Sequence, residues 1–162
     1  MAIPLLIEIT KVANKKRDEA LSLSSLQEIQ TLVKKMKQGM QAKTLLSVSS
    51  EVAYLMKTES YLMLQTAVGI INGLSEIMKD QSKPITYRGE TYWENPDNFL
   101  SGAILTNAFS VQGEIALQDT LSTANRFRDT SLQMMARLAS IERAIKKGPP
   151  KIEKKEGAKK VL

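Results

Sequence analysis

The chain has 162 residues and a mass of 18.0 kDa, with 43% hydrophobic and 25% charged residues and a formal net charge of +6. That is the size of one domain, long enough to bury a core without cross-links. It contains no Cys and no His, which excludes disulfides, thiolate nucleophiles, Cys-based zinc or iron–sulfur sites, imidazole catalysis and the Glu-x-x-His di-iron motif of helical bundles.

Only 5% of residues are aromatic, while Leu, Ile, Met and Ala are abundant, a composition that favours helix-on-helix packing over a sheet core. The opening MAIPLLIEITKV is apolar but is interrupted by Glu8. It lacks a basic n-region and a small-residue cleavage site, so it does not read as a signal peptide. Pro4 suits a first helical turn, and Leu5, Leu6, Ile9, Val12 and Ala13 recur at helical spacing. A first helix is expected over residues 4–20. A break is expected at residues 22–25, where Ser25 and Glu28 have the spacing of a capping box.

A long helix is then expected from residue 25 to about residue 80. Leu26, Ile29, Val33, Met36 and Met40 step by three and four, as in a heptad seam. The stripe slips and resumes at Leu45, Val48, Val52 and Leu55, then at Met63, Ala67, Ile70, Leu74 and Ile77. Gly39, at the first slip, is the expected kink. Residues 61–78 come nearest to a membrane-spanning stretch but contain Gln65, Asn72 and Glu76, and read as a buried amphipathic helix; no transmembrane span is expected. Gln65 and Asn72 read as register-setting polar residues. Gly69 and Gly73 form a G-x-x-x-G, the spacing that lets another helix approach closely. The partner would be the second long helix, through Gly102 or Gly113, or another subunit. Leu at both Gly69 and Gly73 is expected to disrupt assembly more than folding.

Pro84 ends this helix. The segment ITYRGETYW at residues 85–93 places β-branched and aromatic residues on both sides of Gly89, a β-hairpin pattern. Tyr87 and Tyr92 are candidate contact residues and Trp93 a candidate cap over the bundle end. Asn95, Pro96 and Asp97 then mark a helix start. A second long helix is expected to about residue 147, with a stripe through Leu100, Ile104, Ala108, Val111, Ile115, Leu117, Leu121, Ala124, Phe127 or Arg128, Leu132, Met135, Leu138, Ile141 and Ile145. Gly148, Pro149 and Pro150 stop it. At about 1.5 Å per residue the two long helices would span roughly 85 and 75 Å, which predicts a mainly all-α fold: a long antiparallel helical hairpin with a short N-terminal helix and the β-hairpin at the tip. The expected core includes Leu100, Ile104, Val111, Leu121, Leu132, Leu138, Ile70, Leu74 and Val52. The domain is expected to occupy residues 1–147.

The end of the chain carries Lys146, Lys147, Lys151, Lys154, Lys155, Lys159 and Lys160 against Glu153 and Glu156, a net +5 of the formal +6. Without aromatics or an apolar stripe, residues 148–162 are expected to be a disordered basic tail. It reads either as a solubilising terminus or as an arm for nucleic acid or an anionic surface.

No phosphate-binding glycine loop is present. Asp18, Glu19, Glu51, Glu59 and Glu114 are scattered rather than paired, and a serine nucleophile would lack histidine. No catalytic, metal or cofactor site is expected, and no enzymatic role. Wide apolar stripes on both arms predict self-association. The architecture so read is similar to the helical hairpins with a tip insertion found among secretion-system filaments, flagellin-like subunits and phage structural proteins. A non-enzymatic assembly subunit is therefore expected, cytoplasmic or exported without a cleaved signal. The alternatives are a nucleic-acid- or anion-binding module using the lysine tail, and a chaperone or adaptor using Met36, Met40, Met56, Met63, Met78, Met134 and Met135 to hold a partner helix.

Overall fold

The structure is a computed structural model that describes residues 2–74, 83–87, 90–94 and 102–147. The protein is mainly helical. Its elements are α1 (Ala2–Lys15), α2 (Glu19–Lys34), α3 (Gln38–Val52), α4 (Lys57–Gly73), β1 (Lys83–Tyr87), β2 (Glu90–Glu94), α5 (Gly102–Ile115), α6 (Leu117–Ala124) and α7 (Thr130–Lys147). The backbones of β1 and β2 pair antiparallel, with Ile85 opposite Tyr92 and Pro84 opposite Trp93. The start signal at Asn95, Pro96 and Asp97, the turn at Arg88 and Gly89, and the tail after Lys147 lie outside the described residues.

The two long helices are a correction. Among the described residues the first expected arm is three helices and the second is also three. The most extensive packing pairs α1 with α2, α3 with α4 and α5 with α7, while α3 also lies on α5. The second slip, between α3 and α4, is therefore a reversal in which α4 turns back and buries its stripe on α3, whereas the first, between α2 and α3, is a break after which α2 stays packed chiefly on α1.

The first break comes earlier than expected. Arg17 takes the left-handed conformation at φ 59°. Asp18 N–H then reaches back to Ala13 O at 2.9 Å and Arg17 N–H to Asn14 O at 2.9 Å, the paired bonds of a Schellman ending. Asp18 also starts α2, accepting from Leu21 N–H at 3.0 Å, as an N-cap does. Ser25 is consequently inside α2, where its hydroxyl donates to Leu21 O; it caps nothing. Gly39 is not the kink either. The chain turns at residues 35–37, where the Gln41 amide donates to Lys34 O at 3.1 Å and Met36 O at 2.8 Å, occupying carbonyls that a helix end leaves open.

The α3–α4 turn has no Gly or Pro. It is built from buried apolar residues, Val52, Ala53 and Met56. Asn14, at the end of α1, donates to Leu55 O at 3.3 Å and steadies it. In the second half, Ala116 at φ −149° separates α5 from α6, and Asp129 opens α7 by accepting from Leu132 N–H at 2.9 Å.

One apolar core runs through α2 to α7. It is formed by residues such as Leu26, Ile29, Leu46, Val52, Leu64, Ile71, Leu105, Phe109 and Leu132. Phe109 is fully buried and meets Phe127 at a ring distance of 5.6 Å. Val52, Val111 and Leu132 are buried as expected, whereas Ile70, Leu74, Ile104 and Leu121 are half-buried. Leu138 is a correction: it is 62% exposed. Leu100 lies outside the described residues. Gln112, buried beside the aromatic pair's helix turn, donates to Ser60 Oγ at 2.9 Å, and Ser60 donates to Lys57 O. Among the described residues no buried side-chain nitrogen or oxygen lacks a partner, as a closed core requires.

Candidate association surface

The close helix crossing is not where the glycine spacing pointed. A Cβ placed on Gly113 would fall 2.5 Å from Ser140 O and 2.6 Å from Ser140 Cα. Gly113 on α5 therefore admits the α7 backbone, and the small residues Ala136, Ala139 and Ser140 line the α7 side. Among the described residues, Gly69 and Gly73 meet nothing within 4 Å, and both are exposed on α4. Gly102 lies against the Met135 side chain. Neither Gly102 nor Gly113 faces the G-x-x-x-G, so the crossing within the chain is corrected, while its glycines lie on a face exposed among the described residues.

With the core closed, apolar rows remain outside it. On α7, Leu132, Ala136, Ala139 and Ser140 are buried on one side. At 100° per residue, Met134, Leu138, Ile141 and Ile145 fall on the opposite side. Met134 is 61% and Ile145 71% exposed, and Ile141 is half-buried. On α1, Leu5 and Val12 are exposed with Ile9 half-buried between them. On α4, Leu62 is exposed on the side that carries Gly69 and Gly73. It borders a groove of about 220 Å³ between α2, α3 and α4, with Val33, Leu45 and Ile70 among its walls.

A polar clasp ties the turn after α3 to α5 and α7. The Tyr54 hydroxyl donates to Glu114 Oε2 at 2.6 Å, Arg143 Nε lies 2.7 Å from the same oxygen, and Arg143 also reaches the Tyr54 hydroxyl. Partial burial, and then the bond to Glu114, raise the Tyr54 phenol above its ordinary 10.0. The clasp borders an open cleft of about 430 Å³ lined by Ser110, Glu114, Glu142, Arg143 and Lys146. Its charges are paired among themselves, so it fastens these elements together. A second bridge runs from Lys11 on α1 to Glu51 on α3 at 2.8 Å and to Glu8 at 3.0 Å. Bonding to Glu51, then to Glu8, raises the Lys11 ammonium above its ordinary value.

Of the expected site residues, Gly69 and Gly73 lie on α4 and Lys146 on α7. Tyr87, Tyr92 and Trp93 belong to β1 and β2, and their side chains are outside the described residues. Lys146 sits on α7 and pairs with Glu142 at 2.6 Å. Lys147 ends α7. Lys151, Lys154, Lys155, Lys159 and Lys160 fall outside the described residues. The methionines divide between core and surface: Met56 and Met63 are buried, while Met40 and Met134 are exposed on different helices.

Leu138 and Ile145, expected in the core stripe of the second long helix, lie with Met134 on the outward side of α7, because periodicity reports that a face is apolar, not which side another element takes. Asn72, read as register-setting, instead holds the loop before α7: its amide donates to Arg126 O at 2.7 Å and its oxygen accepts from Arg128 N–H at 2.9 Å.

No helix among the described residues is long and apolar enough to cross a membrane. The class that the fold defines is a helical bundle, with rows of exposed apolar residues among the described residues. No family model, curated protein or solved structure matches the chain.

Proposed function

We propose that the protein is a non-enzymatic assembly subunit that acts by associating through its outward helical faces, as the subunits of filaments, secretion apparatus or phage-like structures do. The observation that carries this reading is the exposed row on α7, Met134, Leu138 and Ile145, on a helix whose other side is already committed to the core. A helix that is apolar on both sides belongs between two partners, and contiguous exposed apolar surface marks interaction sites. Leu5 and Val12 on α1, and Leu62 with Gly69 and Gly73 on α4, offer further contacts for a larger assembly. The exposed glycines would admit a helix of another subunit closely. A β-hairpin at the bundle tip, displaying Tyr87, Tyr92 and Trp93, would supply an end contact.

Light scattering after size exclusion, at low and high salt, tests the reading. A defined oligomer or polymer that persists at high salt is expected, because apolar contacts are not screened. A monomer at both salts would overturn it. Binding through the lysine tail, lost on deleting residues 148–162, would then be the reading to pursue.

A further inference from the structure

We infer that α7 associates in parallel with α7 of a second copy of this chain, in a register fixed by Arg137 and Glu142. The inference rests on the association reading above and names its surface, partner and orientation. Met134, Leu138, Ile141 and Ile145 are separated by four, three and four residues, the alternation of d and a positions in a heptad seam. On that assignment Arg137 occupies g and Glu142 occupies the next e, on opposite flanks of the seam. Both are exposed.

In a parallel coiled coil a g residue lies beside the e′ residue five positions on. Arg137 is therefore beside Glu142 of the second copy, and symmetry repeats the pair. In an antiparallel arrangement each flank meets its own kind. The flank of Arg137 carries Thr130 and Ala144 and that of Glu142 carries Met135, so no Arg–Glu pair forms. Charge complementarity thus selects the second copy and the parallel sense. Arg137 has no ion pair among the described residues. Glu142 bonds Lys146 on its own helix, but the two side chains are 67% and 72% exposed, and such a pair yields readily to another partner.

Two circumstances help the pairing. α7 is already held helical by α5, so association does not have to nucleate a helix. The opposite stripe, Leu132, Ala136 and Ser140, is fully engaged, which leaves the seam as the available face. The seam is only about two heptads long, short of the roughly 800 Å² per partner of a stable specific interface. A concentration-dependent pair is therefore expected unless other faces contribute. Parallel pairing also brings both lysine tails to one end, so deleting residues 148–162 is expected to tighten it.

The absence of Cys allows a direct test. Met134→Cys, Leu138→Cys and Ile145→Cys are made singly in the full chain and oxidised mildly, with the solution mass of the unmodified protein measured alongside. Same-site cross-linked dimers at all three positions are expected. Cross-linking of Met134→Cys only with Ile145→Cys would overturn the parallel orientation. An unmodified oligomer with no cross-link at any site would overturn α7 as the interface and leave association standing through another face. An unmodified monomer would overturn both. In parallel, Leu138→Glu is expected to weaken association at least tenfold with an unchanged thermal melt of the dilute protein, because Leu138 is outside the core. Arg137→Glu and Glu142→Arg are each expected to weaken it, and the double swap to restore it. Failure of the swap to restore would overturn the register.

Discussion

At Gly113 the backbones of α5 and α7 leave no room for a side chain, since a Cβ would sit 2.5 Å from Ser140 O. Alanine there gains up to about 1 kcal/mol of helix propensity but must push two packed helices apart, which costs about 1–3 kcal/mol. Gly113→Ala is expected to be destabilising on balance, read as a lower denaturant midpoint. Gly69→Ala has the opposite expectation. Among the described residues nothing lies within 4 Å of a Cβ there, so the propensity gain of about 1 kcal/mol is unopposed. The same two residues show what sequence can reveal at this scale. A glycine in a helix announces either a close neighbour or an accident, and spacing favoured Gly69 and Gly73 because they form a recognisable pair. The lone Gly113 had no such mark, since what it makes room for is twenty-seven residues away at Ser140. Asn72 makes the complementary point. Its two bonds to Arg126 and Arg128 are each worth about 0.5–1.5 kcal/mol, and Asn72→Ala is expected to lose about 1–2 kcal/mol in the midpoint measurement. A side-chain amide on a half-apolar helix face does not disclose in sequence that its partner is a loop in the other half of the chain.

Elements are joined by features of unequal legibility. Asp18 and Asp129 cap their helices with ordinary chemistry, yet neither is conspicuous in the sequence, because apolar periodicity continues on either side of each. The turn at Val52, Ala53 and Met56 offers no breaker at all. It exists because folding α4 back onto α3 buries more apolar surface than extending the helix into solvent would. Mainly helical structure was readable from composition and period, while the reversals were decided by tertiary packing. The clasp of Tyr54, Glu114 and Arg143 then ties these reversed elements together, and it has a pH signature. Tyr54 and Lys11 both hold their protons more tightly in the folded chain than at their ordinary values of 10.0 and 10.5. Their contributions are fully present below the unfolded values and are lost as pH rises through the raised folded ones. Stability is therefore expected to fall above about pH 10. Tyr54→Phe should shallow that decline while lowering stability at neutral pH, where the bond to Glu114 is lost. Denaturant midpoints taken across the alkaline range would show it. An unchanged slope in Tyr54→Phe would mean that the clasp is open in solution.

At the scale of the molecule, association through the apolar rows on α1, α4 and α7 would show in stability as well as in mass. A partner that binds only the folded chain raises its apparent stability as concentration rises. If association is through these rows, the melting temperature should climb with protein concentration, and Leu138→Glu should make it concentration-independent without lowering the dilute limit. Replacing Gly69 and Gly73 together by Leu separates the faces further. Among the described residues both positions are open to a Cβ, so the variant is expected to fold as the unmodified protein does. If α4 also enters the assembly, the variant should stop at the smaller species that α7 alone supports. If the assembly forms unchanged, the α4 face stays outside it, and the α7 and α1 rows must account for the whole mass. Deleting residues 148–162 removes a net +3, which lowers self-repulsion between copies. The truncated chain is therefore expected to associate at least as strongly at low salt, where like charges act over about 30 Å rather than the 8 Å of physiological ionic strength. Weaker association after truncation would instead show that the tail itself contacts the neighbouring copy.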